Sequence, residues 1–171
     1  MAVSAMGAPR DDSMASSAGA ADVWVVAVDG TAVPNPGALG VGAVLVAPDG
    51  IRHELSRALE VRGCNNEAEA RAVAGALDEA ARLGARVVRL HSDSAVVVDE
   101  LLGRRHTMVQ RLRAVFDDIA RQRALFDVVD VVLVPRHEND EADLLARAAL
   151  GLGVKVTRSR WRRDRRSTRR S

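Results

Sequence analysis

At 171 residues and 47% apolar content, the chain is long enough to bury one real core with segments to spare at its ends. No apolar run approaches the roughly 18 residues that cross a bilayer, and a lone cysteine, Cys64, excludes an intrachain disulfide and fits a reducing compartment. The net charge of +2 conceals a split: residues 155–171 hold nine of the 25 basic side chains against one acid, Asp164, leaving 16 basic and 22 acidic residues in the first 154.

A basic tail on an acidic body suits contact with a polyanion such as nucleic acid, or a merely solubilising extension; both readings stay open. Residues 1–21 are rich in Ala, Ser and Gly and lack the continuous apolar stretch of a secretory signal, so they read as a disordered leader of a cytoplasmic protein. The expected organisation is a leader over 1–21, one domain over 22–154 and an Arg-rich tail over 155–171.

Val23 to Val28 is an unbroken apolar run, a strand buried on both faces, which is expected to end at Asp29-Gly30. Val33 to Gly40, with two prolines and two glycines, is turn chemistry. Val41 to Ala47 and Ile51 to Leu59 read as two further strands around Pro48-Asp49-Gly50, completing an antiparallel meander. The period then becomes helical from Asn66 to Leu83, with Val73, Ala76, Leu77 and Ala80 on one stripe and Gly84 as the stop. Arg86 to His91 is a short strand, and Ser94 to Leu102 a short helix. Val109, Leu112, Phe116, Ile119 and Ala120 mark another helix. Phe126 to Val134 is a β-branched strand, and a last helix runs from about Asn139 to Leu152. The order β-β-β-α-β-α-α-β-α predicts a mixed α/β domain. Its five-stranded sheet has an antiparallel opening meander, and strands separated by helices pair in parallel through right-handed crossovers. The glycines at 37, 40 and 42 are expected to shape the first hairpin, and Cys64 to be a small buried filler.

Three acids sit where a purely structural sequence would not put them. Asp29 closes an otherwise apolar strand, Asp93 follows the carboxyl end of the first crossover strand, where open α/β sheets place their sites, and Glu69 shares the stripe of Val73. Each has an ordinary explanation: a turn for Asp29, a cap for Asp93, a capping box with Asn66 for Glu69, and a first-turn acid for Asp143. Burying several carboxylates together is unfavourable without a counter-charge. A set of hard oxygen ligands lacking His and Cys favours Mg²⁺ or Mn²⁺ over zinc.

These acids lie within four motifs: Val28-Asp29-Gly30 followed by Asn35-Pro36-Gly37-Ala38-Leu39-Gly40-Val41-Gly42; Asn65-Asn66-Glu67-Ala68-Glu69; Ser92-Asp93-Ser94; and Val134-Pro135-Arg136-His137-Glu138-Asn139-Asp140-Glu141-Ala142-Asp143. In that order, over roughly residues 23–152, the chain resembles the type 1 ribonuclease H family, in its form without a basic protrusion. The resemblance implies a ribonuclease H-like fold and an endoribonuclease that cuts the RNA strand of RNA–DNA hybrids. It would leave 3′-hydroxyl and 5′-phosphate ends, with Asp29, Glu69, Asp93 and Asp143 holding two Mg²⁺ ions. It further implies that Asn35, Asn65, Asn66 and Arg136 touch the substrate, in a protein expected to work as a monomer. Two departures accompany it. Relatives carry a mobile histidine ten residues before the last aspartate, where this chain has Leu133, and only Gly103 to Thr107 separates the two middle helices, too little for the basic helix of other members. The tail from Lys155 is a candidate replacement for that helix. A family member without efficient catalysis is the alternative reading. A proofreading-type exonuclease ranks third, since Thr31 stands where those proteins place a glutamate.

Overall fold

A computed structural model of the chain describes residues 22–153; the expectations for the leader and the basic tail lie outside the described residues. In chain order the elements are β1 (Val23–Val33), β2 (Gly37–Val46), β3 (Arg52–Gly63), α1 (Asn65–Arg82), β4 (Val87–Ser92), α2 (Ala95–Leu101), α3 (Gln110–Arg123), β5 (Val128–Leu133), a single 3₁₀ turn (Arg136–Glu138) and α4 (Asp140–Ala148). The strands lie in the order β3-β2-β1-β4-β5. β1, β2 and β3 pair antiparallel, while β4 pairs parallel with both β1 and β5, as the alternation of strands and helices predicted.

Alternation along β1 divides the sheet into two faces. Val26, Val28 and Ala32 point to one, beside their β2 partners Leu45, Ala43 and Leu39, and all six are buried. α1 covers this face with Ala72, Val73, Ala76 and Leu77, each fully buried, and α3 adds Leu112, Phe116 and Ile119. With so few aromatics, the core is filled by close packing of small aliphatic side chains, each buried Val or Leu contributing about 1.5–3 kcal/mol. The opposite face carries Asp29 paired with Gly42, and here α4 packs on β2 and β1.

Several boundaries differ from the sequence expectation for identifiable reasons. β1 does not stop at Asp29-Gly30 but continues to Val33, so Asp29 sits mid-strand. The dipeptide is no turn because Gly30 is needed for approach: a Cβ there would stand 2.1 Å from the carbonyl carbon of Ala68 and 2.3 Å from the amide nitrogen of Glu69. The hairpin shrinks to Pro34-Asn35-Pro36, and β2 begins at Gly37 rather than Val41. Of the three glycines assigned to the hairpin, only Gly37 serves it. A Cβ on Gly42 would lie 2.4 Å from the oxygen of Ala142, and one on Gly40 2.2 Å from that of Ala146, so both seat α4. β3 runs on to Gly63, four residues beyond Leu59, and α4 ends at Ala148 rather than Leu152. Cys64 is exposed rather than a buried filler, because it occupies the N-cap position of α1 at the surface. Among the described residues no helix intervenes between α2 and α3, and none is long and apolar enough to cross a membrane.

Candidate active site

The four acids come from four elements that the sheet brings side by side. Asp29 lies on central β1, Glu69 in the opening turns of α1, Asp93 just past β4, and Asp143 in the first turn of α4. The parallel pairing Ala27↔His91 puts the end of β4 next to Asp29, while the bare backbones of Gly30 and Gly42 draw in α1 and α4. Asp29 is 7% exposed, Glu69 is half-buried, and the Asp143 side chain is 19% exposed.

Their electrostatics are those of one site. Burial, and then the charge of Asp93, push Asp29 up to about 7; Asp143 and Glu69 add to the rise, against a lowering hydrogen bond from the Gly30 backbone. Glu69 is raised as well, chiefly by burial and secondarily by Asp93, against a hydrogen bond from Ser94 and the positive charge of Arg136. One Glu69 oxygen, Oε2, is buried with no hydrogen-bond partner. Among the described residues no group of three or more His, Cys, Asp or Glu side chains is arranged, as it stands, to hold a metal ion. Like charges repel, and a cation would have to draw these oxygens together. The donor set still suits a hard divalent ion: carboxylate oxygens only, one of them buried and unsatisfied, around an aspartate whose ionisation is suppressed by burial and by neighbouring negative charge.

The ordinary explanations for Asp29, Asp93 and Glu69 do not hold, whereas Asp143 does lie in the first turn of α4. α2 is capped by Ser94, whose hydroxyl accepts from Val97 N at 3.3 Å, so Asp93 is not its cap. α1 has no capping box: its N-cap is Cys64, without a side-chain hydrogen bond.

The proposed substrate contacts divide. Asn35 and Asn65 tie the hairpin to α1, since Asn65 N donates to Asn35 Oδ1 at 3.2 Å and Ala32 N donates to Asn65 Oδ1 at 2.8 Å. Each keeps its Nδ2 amide as a donor. Asn66 is exposed beside them. Arg136 is exposed at the other end of the site, its Nη2 3.7 Å from Asp143 Oδ1, while His137 turns to the surface near Glu138.

One residue matters more than the sequence indicated. Asn139 is 2% exposed, and its Nδ2 donates to both Val28 O and Asp93 Oδ1 at 2.9 Å, fastening the start of α4 to β1 and orienting the Asp93 carboxylate. In sequence it is only the residue near which the last helix is expected to begin, and its side chain makes no cap bond. Replacing it by Ala should leave Val28 O unpaired and Asp93 free to turn. The expected result is a loss of about 10–100-fold in the affinity of the acid cluster for a divalent cation, measurable by calorimetry.

This arrangement of sheet, flanking helices and clustered acids is that of ribonuclease H-like proteins. A family model described as reverse transcriptase-like matches residues 27–149. The crystal structure of RNase H1 from the halophilic archaeon Halobacterium salinarum is 35% identical, with a TM-score of 0.72 over 75% of this chain and 98% of that one. The N-terminal RNase H domain of a Mycobacterium tuberculosis protein is 32% identical, with a TM-score of 0.70 over 74% and 98%. LC11-RNase H1, solved in complex with an RNA/DNA hybrid, is 28% identical, with a TM-score of 0.69 over 75% and 96%. The chain belongs to the type 1 ribonuclease H family. It spans only 35% of the length of the full mycobacterial relative, a bifunctional protein 34% identical over 131 residues, and 61% of a Halobacterium salinarum ribonuclease HI that is 38% identical over 125 residues.

Proposed function

We propose that the chain hydrolyses the RNA strand of RNA–DNA hybrids, with Asp29, Glu69, Asp93 and Asp143 as ligands for two divalent cations, Mg²⁺ with Mn²⁺ as a substitute. The observation that carries this reading is the Asp29 carboxylate, 7% exposed in the middle of a central strand and raised to about 7 by burial and three neighbouring acids. No structural purpose accounts for that placement, and membership of a family with a relative solved on an RNA/DNA hybrid supports a catalytic one.

Bound divalent cations would supply Lewis-acid charge at the phosphate and favour ionisation of the attacking water. The chain's own part is to hold four carboxylates on rigid elements, to keep Asp93 turned inward through Asn139, and to seat the strand to be cut. The amides of Asn35, Asn65 and Asn66 are suited to ribose 2′-hydroxyls, which both donate and accept and so distinguish RNA from DNA. Arg136 offers its guanidinium to a phosphate near Asp143. Attack of water at phosphorus breaks the P–O3′ bond, leaving a 3′-hydroxyl and a 5′-phosphate. One chain carries the whole acid set, so a monomer suffices, and the cytoplasm would keep exposed Cys64 as a thiol.

Leu133, 52% exposed at the end of β5, stands where relatives carry the mobile histidine, which favours a slow enzyme or a hybrid-binding protein as the second reading. A labelled hybrid incubated with Mg²⁺ or Mn²⁺, beside single-stranded RNA, duplex RNA and duplex DNA, decides between them. Cleavage confined to the RNA of the hybrid supports the nuclease; binding without cleavage supports the alternative; neither sinks both.

A further inference from the structure

The opening turns of α1 carry Asn65, Asn66 and Glu69, yet Cys64 gives the helix no side-chain cap, and the opening amides of a helix lack intrahelical partners. Such a turn frays unless something else holds it. Asn35 takes the Asn65 amide. A stronger restraint lies between Asn66 and Glu69: Glu67 is 4% exposed, and its carboxylate is gripped by two arginines. Arg71, one turn on, donates from Nε and Nη2 to Oε1 at 3.1 and 3.0 Å. Arg111, from α3, donates from Nη2 to Oε2 at 2.9 Å and Oε1 at 3.2 Å, and the same nitrogen bonds the Arg62 carbonyl at the end of β3. Gly63 makes room for this clamp, since a Cβ there would lie 2.3 Å from Glu67 Oε2.

We infer that Glu67, through Arg111 and Arg71, is a positioning residue that fixes the first turn of α1, and with it Glu69 and the two asparagines, relative to β3 and α3. The inference rests on the proposed function. Only the Glu67 carboxylate leaves water, Arg71 and Arg111 staying partly or largely exposed, and the cost of burying that one charge offsets much of what the attraction returns; the cluster is therefore weak evidence of stabilisation, and an apolar side chain of similar size would fill the space as well. What the pair does supply is direction. A carboxylate chelated from two helices, with one arginine also bonded to a strand carbonyl, admits one placement, where an apolar contact would tolerate sliding. The clamp also forms a wall of a groove of about 530 Å³ whose lining includes Cys64, Asn66, Arg105, His106 and Arg111, so a displaced α1 turn would reshape the surface next to the acids.

The test uses Glu67→Leu and Arg111→Met in the full chain. Steady-state kinetics on a hybrid with Mg²⁺, hybrid affinity as a function of salt, and melting temperature are the readouts. The expected result for Glu67→Leu is a melting temperature close to wild type with kcat lowered on the order of ten- to a hundredfold, the scale at which small misplacements act, and an unchanged salt slope. Arg111→Met should lower kcat in the same way, again without changing the slope, and it carries the test if Glu67→Leu does not fold. Wild-type kcat in a folded Glu67→Leu protein would overturn the inference. So would a salt slope reduced by Arg111→Met, which would make Arg111 a direct phosphate contact. A wild-type chain that neither binds nor cuts hybrid would overturn the proposed function itself, and the inference with it.

Discussion

Asp29→Asn is expected to abolish hybrid cleavage while making the cation-free protein more stable. The loss should exceed about a hundredfold, because even residues that only orient a ligand cost up to that much when removed. The gain follows from the raised pKa. An acid raised from its ordinary value of 3.8 to about 7 binds its proton more tightly folded than unfolded. Its favourable contribution is therefore complete below about 3.8 and is lost as the pH rises through 7. At pH 8 the folded wild type holds a buried charge among three other acids. An amide of the same shape removes that cost, so the melting temperature of Asp29→Asn should exceed wild type at pH 8, by about 1–3 kcal/mol of stability, and the advantage should fade near pH 4. The same titration governs cations. A ligand must be deprotonated to bind, so the wild-type melting temperature should respond to Mg²⁺ more strongly at pH 8 than at pH 6. Asp29→Asn should lose that response. Equal stabilisation by Mg²⁺ in both proteins at pH 8 would remove Asp29 from the cation site.

The second large effect is expected from Gly30→Val, a change that touches no charged group. The Cβ of any residue at 30 would collide with the Ala68 carbonyl and the Glu69 amide, backbone atoms that cannot rotate away as a side chain end can. α1 must then lift from β1. Overpacking of this kind costs about 1–3 kcal/mol, and more where backbone is displaced. Glu69 moves with its helix, so activity should fall further than stability, with kcat down on the order of a hundredfold. Denaturation curves and kinetics on the same preparation separate the two. A folded Gly30→Val protein with wild-type kcat would show that the approach of α1 to β1 does not set the site.

Much of this molecule is legible in its amino-acid sequence because its elements obey simple periods. The stripe through Val73, Ala76 and Leu77 predicts α1, and strands alternating with helices predict the parallel pairing of β1 with β4. What escapes is decided by contacts between residues distant in sequence. Asp29-Gly30 has the composition of a turn, yet it lies mid-strand, because the backbone of α1 packs where a side chain would be. Gly40 and Gly42 look like hairpin glycines, yet it is α4, far along the chain, that rests on them. Glu67 does not stand out beside Glu69, since an acid in a helix's first turn is ordinary; its burial depends on Arg111, 44 residues away. Asn139 is hidden in the same way, its partner Asp93 lying 46 residues earlier. Local pattern reveals elements, whereas the orientation of a carboxylate is set by whatever the fold brings beside it.

α4 is short, and much of what seats it was made long before: Gly40 and Gly42 beneath it, the Ser56 hydroxyl donating to the Leu145 carbonyl, and Arg52 joined to Glu141 at 2.6 Å, the last two pairs each 89 residues apart. A chain emerging from the ribosome thus has Asp29, Glu69 and Asp93 well before Asp143 can dock. The proposed cutting centre stays incomplete until almost the whole described domain has been synthesised, so no cleavage is expected of the nascent polypeptide before its last helix docks.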